Sequence, residues 1–478
     1  MRSLRPVLAA LISASALMCG VASAQMPPPG DRHGPPPGFG PPQMPEGIHA
    51  RFVPLSMGEP GVLYEPDVPG PHTSVAFFVM HASNDYLQFS ACFELAKRGY
   101  RVLCANNTTS KSGAFDDGIL DDVITQAGNG VAWLRHQPGI AKVILFGHSG
   151  GATGRSAYQA IAEQGVAFCQ KTTLIHRCSD RLAGLPKADG VVLVDSNFGQ
   201  AAMTLFSIDA AVRDTGPSED GAHTVDASLD SLNPVNGYHN GRAHFTAEFV
   251  NRYLAAQAAR SRRLIARAQE RVKAMAAGTA NFTDDEPFIV PGAFVAANKL
   301  FPLDTALLEH SVKPWPLLHK GGVVTTEVIH SVRVATTGPM GPQTADRYAS
   351  ALKTTVKGFL SSYAIRTLPG YGYGADSAIH GVDWHSTYAA PPGNVEAITV
   401  PFLTLGMTGS WEGLAAETIY DHSHSTDRSI AFVEGANHIY QPCRECEKTP
   451  GEFGDTVKTT YDAIDQWTAK PGRFLTAP

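Results

Sequence analysis

Five consecutive residues, Gly147-His148-Ser149-Gly150-Gly151, carry the clearest chemical signal in this chain. A serine hydroxyl is a weak nucleophile at neutral pH and needs a base within hydrogen-bond reach. What marks Ser149 is its surroundings. Before it runs Lys142-Val143-Ile144-Leu145-Phe146, a short apolar stretch of the kind that forms a buried strand. After it, residues 152–162 read as a helix. The chain must reverse sharply between the two, and glycines at 147, 150 and 151 leave room where a Cβ would clash. A serine so placed is pushed out beyond the end of its strand. Its hydroxyl sits near a helix N-terminus, which favours developing negative charge. His148, inside the same turn, is a candidate substrate contact.

The elements that must hold this turn can be read on either side. Residues 51–55 and 61–64 look like a leading antiparallel pair. Continuous apolar runs at 75–80, 100–105, 142–146 and 190–194 predict buried strands. Helical stretches at 88–98 and 119–136 alternate with them. In the second, Ile119, Val123, Ala127, Val131 and Leu134 recur at three- and four-residue spacing. Continuous apolar strands alternating with helices indicate a parallel sheet. The alternation breaks after residue 198. Helix is expected at 242–277, with eight Arg/Lys against two Glu, and again at 293–310 and 345–363. Residues 371–388, dense in Gly, Tyr, Trp and His, look like loop. The sheet resumes at 400–405, followed by a helix at 414–420, a last strand at 429–433 and a terminal helix near 456–468.

A G-x-S-x-G turn between a buried strand and a helix resembles the nucleophile elbow of the α/β-hydrolase superfamily. The resemblance covers residues 50–198 and 396–470. It implies an α/β fold, a mostly parallel sheet flanked by helices, with a large, mainly helical cap inserted between strands 6 and 7. The domains expected are a core at 47–198, a cap at 199–396 and the rest of the core at 397–478. In this superfamily the base is a histidine after the last strand, which here leads into Glu434-Gly435-Ala436-Asn437-His438. His438 is the implied base. The acid usually follows the seventh strand, where this chain reads Gly406-Met407-Thr408-Gly409-Ser410-Trp411-Glu412-Gly413. No aspartate stands early in that loop, so Glu412 is favoured. Asp195, after the sixth strand, comes second and Glu417 third. The oxyanion hole is expected from the backbone N–H of Gly150 and one from the loop 80–86, assigned to Ala82 with Ser83 as alternative. His81 in that loop either supports the residues around the nucleophile or contacts substrate. No HGGG run is present, which limits the resemblance to lipases carrying it.

These residues imply an ester hydrolase working through an acyl-enzyme on a small molecule with an apolar or aromatic group. An amidase, peptidase or carbon–carbon hydrolase would use the same triad, and a non-catalytic binding protein is the remaining alternative. Trp315, Tyr363, Tyr371, Tyr373, Trp384 and Tyr388 either wall a substrate pocket or fill the cap's own core. A second constellation, Asp421, His422, His424, His438, Cys443 and Cys446, has the residue types of a zinc site. Its spacing is loose and a Cys-x-x-Cys in an exported chain is as readily a disulfide, so no metal and no cofactor are expected.

The start of the chain points to export. Arg2 and Arg5, an apolar stretch at 7–21 and Ala22-Ser23-Ala24 form a signal peptide, 1–24, with its cleavage site. Periplasm and medium are both open. A Pro/Gly-rich segment, 25–46, with nine prolines between Pro27 and Pro45, follows as a disordered tether. No later apolar run is long enough to span a membrane. Cleavage takes the formal charge from −6 to −8, with no basic excess to attract nucleic acid. Of seven cysteines, six remain after cleavage. Cys169 with Cys178 and Cys443 with Cys446 are the expected disulfides, while Cys92 and Cys104 read as buried thiols. The sequence does not set an oligomeric state.

Overall fold

The computed structural model describes residues 44–109, 111, 115–213, 225–294, 297–336 and 351–475. The expected signal peptide and residues 25–43 of the Pro/Gly-rich segment lie outside the described residues. An antiparallel pair, β1 (Ile48–Pro54) and β2 (Pro60–Pro66), opens the fold. Alternation follows: β3 (Val75–Val79), α1 (Ser90–Lys97), β4 (Arg101–Ala105), α2 (Leu120–Arg135), β5 (Lys142–His148), α3 (Gly151–Gln164) and β6 (Gly190–Val194). Every residue of β3 and β6 is buried. Successive strand side chains point to opposite faces, so each strand feeds two cores. Ala76, Phe78, Val191 and Leu193 pack with Ile124, Val131, Ala157 and Ile161 of α2 and α3. Val75, Phe77, Val79, Val192 and Val194 pack with Leu95 of α1 on the other face.

The insertion then contributes α4 (Gln200–Ser207), β7 (Tyr238–His239), β8 (Arg242–Ala243), α5 (Ala247–Ala276), β9 (Pro287–Val290), β10 (His310–Leu318), β11 (Val324–His330), β12 (Leu352–Thr355), α6 (Val356–Gly358), β13 (Arg366–Tyr373), β14 (Ile379–Asp383) and α7 (Pro391–Val395). The core closes with β15 (Phe402–Met407), α8 (Ala415–His422), β16 (Arg428–Val433) and α9 (Thr456–Thr468). The main sheet has the order β1-β2-β4-β3-β5-β6-β15-β16-β10-β11. From β4 through β10 the neighbours are parallel. The chain leaves β3 toward β4 on one side and returns to β5 on the other. That makes a switch point between β3 and β5, and ligands of open parallel sheets bind outside the strand ends at such a point. Ser149 leaves β5 there, and the loop carrying His81 and Ala82 leaves β3.

The insertion carries more strand than its sequence pattern predicts. Its long helix is present, with Phe249, Val250, Tyr253, Leu254, Leu264 and Ile265 buried along one face. Described residues of 293–310 form no helix, the expected helix at 345–363 is strand at 352–355 and helical at 356–363, and much of 371–388 is the β13–β14 hairpin. Strands β10 and β11 of this insertion extend the main sheet past β16, covering what would be an exposed edge. Pro314 and Pro316 of β10 precede the Leu317–Leu318 segment that pairs with β16, so their missing N–H groups cost that ladder nothing. Tyr363, Trp384 and Tyr388 are buried in the hydrophobic clusters, which places them in the core rather than on an open pocket wall, while Tyr373 packs in the core and also borders a cavity beside α5.

Cys169–Cys178 and Cys443–Cys446 are disulfides. Cys92 and Cys104, expected as thiols, are bonded as well, because α1 packs on β4 and brings their Cα atoms to 6.1 Å. No helix among the described residues is long and apolar enough to cross a membrane.

Candidate active site

Ser149 stands between the last residue of β5 and the first of α3, with φ of +52°. Few non-glycine residues adopt this left-handed conformation, and it aims the side chain away from the sheet. The turn is possible because its neighbours are glycines. A Cβ on Gly147 would meet the Ala152 Cα at 2.8 Å, and one on Gly151 would meet the Met80 carbonyl oxygen at 2.9 Å. Both are closer than a real Cβ tolerates, so the elbow and the β3 loop meet backbone to backbone.

Asp195 follows β6 in a second left-handed turn, φ +42°. Its backbone carbonyl accepts from Ser149 N–H at 3.3 Å. Its carboxylate is fully buried and held at both oxygens: Oδ1 accepts from Met407 N–H at 3.1 Å, and Oδ2 from His438 Nδ1 at 2.7 Å. Glu412, in the loop after β15, stands 3.7 Å from the same Nδ1. Its Oε2 accepts from the Ser149 hydroxyl at 3.5 Å, and its Oε1 from Asn197 Nδ2 at 3.4 Å. The geometry therefore reverses the sequence preference, giving the imidazole hydrogen bond to Asp195 and setting Glu412 beside it. Glu417 is elsewhere. It accepts from Val312 and Lys313 N–H and from the Trp315 indole, fastening α8 to β10.

Two carboxylates beside one imidazole shift each other. Burial pushes Glu412 up to about 7, and the charge on Asp195 adds to this while His438 opposes it. Burial alone would lower His438, but Glu412 and Asp195 outweigh it and hold the ring above its ordinary value. The ring is also flanked by Trp411 and His148, with centroids at 4.7 and 4.5 Å.

His148 does not face a substrate. Its Nε2 donates to the His438 carbonyl at 2.7 Å and its Nδ1 accepts from the Tyr86 hydroxyl. Burial, then the nearby His438, hold it well below its ordinary value, so it is a neutral strut between the elbow and the His438 loop. The ligand-capable atoms of His148, Asp195 and His438 lie within 4.8 Å of one another. Both His148 nitrogens are engaged and Nδ1 of His438 is bonded to Asp195, so a cation there would have to displace these bonds. Of the looser zinc constellation, Cys443 and Cys446 are joined to each other.

The loop after β3 is fixed by a residue the sequence did not single out. Asn107 Nδ2 donates to the carbonyls of His81 and Ala82, at 3.0 and 2.7 Å. In a trans peptide the N–H points opposite to the carbonyl, so anchoring the His81 carbonyl on Asn107 turns the Ala82 N–H the other way. His81 Nδ1 accepts from the backbone N–H of Ser83 and Asn84, at 3.1 and 2.9 Å. A separate cavity of about 810 Å³ between α5 and the β13–β14 hairpin is lined by residues including Arg262, His310, Tyr371 and His380, and its lining includes neither Ser149 nor His438.

Strand order, the elbow after β5 and a histidine after the last strand of the parallel core define this as the α/β-hydrolase fold. No protein-family model and no curated protein matches the chain. Solved structures align along most of its length at low similarity. Esterase B from Lactobacillus rhamnosis is 11% identical, over 89% of this chain and 88% of its own, with a TM-score of 0.37. The alpha/beta hydrolase GrgF from Penicillium sp. sh18 is 10% identical over 88% and 98%, with a TM-score of 0.36. A hypothetical protein from Pseudomonas aeruginosa is 12% identical over 88% and 95%, with a TM-score of 0.37. The strand order and the elbow, rather than these likenesses, define the fold.

Proposed function

We propose that the chain is an exported serine hydrolase that cleaves carboxylic esters through an acyl-enzyme. Ser149 Oγ attacks the ester carbonyl carbon while His438 takes its proton. The tetrahedral intermediate collapses, the C–O bond to the alcohol breaks, and His438 returns the proton to the leaving oxygen. Water, deprotonated by His438, then attacks the acyl-serine and releases the acid. Asp195 fixes the Nδ1–H tautomer, which leaves Nε2 free to accept, and stabilises the imidazolium. The backbone N–H groups of Gly150 and Ala82 receive the oxyanion. Trp411, part-exposed beside His438, offers an apolar surface to the acyl or alcohol group. The signal-peptide pattern and three disulfides support export to an oxidising compartment.

One observation carries the reading. The Glu412 carboxylate lies 3.5 Å from the Ser149 hydroxyl and 3.7 Å from His438 Nδ1, so a serine in an elbow turn shares one small space with an Asp195-bound imidazole. The test is labelling of the purified protein with a fluorophosphonate probe, the adduct located by peptide mass spectrometry. Ser149 takes the label, Ser149→Ala does not, and His438→Ala slows it strongly. A folded wild-type protein that takes none rules the reading out.

A further inference from the structure

His81 holds a polar atom that nothing yet described uses. Because Nδ1 accepts from two backbone N–H groups it carries no proton, and the neutral ring must carry its proton on Nε2. That Nε2 is buried and without a hydrogen-bond partner among the described residues, in a side chain only 5% exposed. Leaving a buried donor unpaired costs about 1–3 kcal/mol, so such an atom calls for a reason. Its position supplies one. A Cβ built on Gly150 would stand 3.2 Å from His81 Nε2 and 3.3 Å from Cε1. The N–H therefore lies against the residue that follows the nucleophile, and any side chain at 150 would crowd it.

The surroundings keep the ring a donor that does not ionise. Burial, then the neighbouring His438, Lys111 and Arg155, push His81 down to about 3. Arg155 of α3 is itself buried, reaches the Met80 carbonyl at 3.4 Å, and leaves Nε and Nη2 without partners among the described residues. A cation thus stands behind the peptide that leads into His81, on a side of the site suited to negative charge.

We propose that His81 Nε2–H is a third donor of the oxyanion hole, a side-chain hydrogen bond to the carbonyl oxygen of the acyl group as it becomes negative, beside the backbone N–H groups of Gly150 and Ala82. No proton is transferred. The bond strengthens as charge develops on the oxygen and relaxes when the intermediate collapses. This inference rests on the hydrolase reading above.

The test compares His81→Asn with His81→Gln. An Asn oxygen can still accept from the loop amides, as Nδ1 does, but places no donor at Nε2. A Gln amide places an N–H near Nε2. Each variant is checked for folding by thermal unfolding, then assayed for p-nitrophenyl ester turnover and for the rate of fluorophosphonate labelling. His81→Asn is expected to lose roughly 10²–10³-fold in kcat and labelling rate, the loss typical of one oxyanion donor. KM and the acid limb stay in place, and His81→Gln recovers part of the rate. A folded His81→Asn that labels and turns over like wild type overturns the inference while leaving the hydrolase reading intact. Equal losses in both variants, or a change confined to KM, also overturn it. A wild-type protein that neither labels at Ser149 nor hydrolyses esters removes both.

Discussion

Replacing each carboxylate at His438 in turn separates their roles. Asp195 Oδ2 stands 2.7 Å from Nδ1 and Glu412 Oε2 3.7 Å from it. At an effective dielectric of about 20, these distances correspond to attractions to an imidazolium of about 6 and about 4.5 kcal/mol. The difference, about 1.5 kcal/mol, is worth roughly tenfold, so charge alone would make the two variants similar. The hydrogen bond does not divide so evenly. Only Asp195 is within reach of Nδ1–H, and so only Asp195 sets the tautomer. In Asp195→Asn the left-handed backbone survives, since asparagine tolerates φ of +42°. Its oxygen can keep the Met407 N–H bond. Its amide then presents N–H groups to Nδ1, which must accept, and the ring proton moves to Nε2, where it blocks uptake of the serine proton.

The expected loss in kcat/KM for Asp195→Asn is about 10⁴-fold, the size associated with a wrong tautomer. Glu412→Gln should cost about tenfold or less, because a carboxyl pushed up to about 7 by burial carries little charge below neutral pH and at 3.7 Å makes no hydrogen bond to Nδ1, and it should move the acid limb. In the proposed mechanism His438 acts as a neutral base, so the rate should rise with pH through its pKa. Glu412 helps to hold that pKa up, and its removal shifts the limb to lower pH. The assay is kcat/KM for a p-nitrophenyl ester across the acid limb, with thermal unfolding to confirm folding. If Glu412→Gln loses about 10³-fold or more while Asp195→Asn stays within about tenfold, the assignment is wrong and Glu412 is the triad acid.

Two further variants read stability rather than rate. Holding a serine at φ +52° costs on the order of 1 kcal/mol, so Ser149→Gly should resist urea better than Ser149→Ala by about that amount. Equal midpoints would mean that the elbow stores no such strain. Glu59 is fully buried, and burial pushes it up to about 7 although Asn129 opposes the shift. Its folded value lies above its unfolded one. The stability from its bound proton is therefore complete below the ordinary carboxylate range and is lost as pH rises through about 7. Glu59→Gln should flatten the fall in urea midpoint over that window without abolishing it, because Glu412 titrates there too. An unchanged slope would count against this account.

The elbow was legible because three constraints coincide in a few residues: an apolar run, glycines where a Cβ cannot fit, and a helix behind them. The parallel core was legible because strands buried on both faces read as unbroken apolar runs. The balance between Asp195 and Glu412 was not. Linear position favours the loop after β15, whereas the outcome depends on a left-handed backbone at an aspartate, which no local pattern announces. His148 was misread for a similar reason. As a motif residue it looks free, and only the fold brings Tyr86 and the His438 carbonyl to its two nitrogens. Strands β10 and β11 escaped because β10 carries two prolines, which argue against a strand until its one-sided pairing is seen. Asn107 left no signal at all, since a single amide after a strand is common and its partners lie 25 and 26 residues away.

The burial of two carboxylates around one imidazole fixes how the site holds charge. Asp195 receives two N–H groups, from Met407 and His438, whereas the bonds to Glu412, from Ser149 and Asn197, are longer, at 3.5 and 3.4 Å. A second buried negative charge, so weakly solvated, is expensive, and keeping a proton is the cheaper solution. That is why Glu412 rises to about 7. Near neutral pH the charge on Glu412 is therefore adjustable. An imidazolium formed at His438 favours ionisation of Glu412, and an ionised Glu412 favours the imidazolium, so the two groups titrate as a pair. The acid limb of the rate profile belongs to that pair, and Glu412→Gln should leave it closer to a single-proton curve.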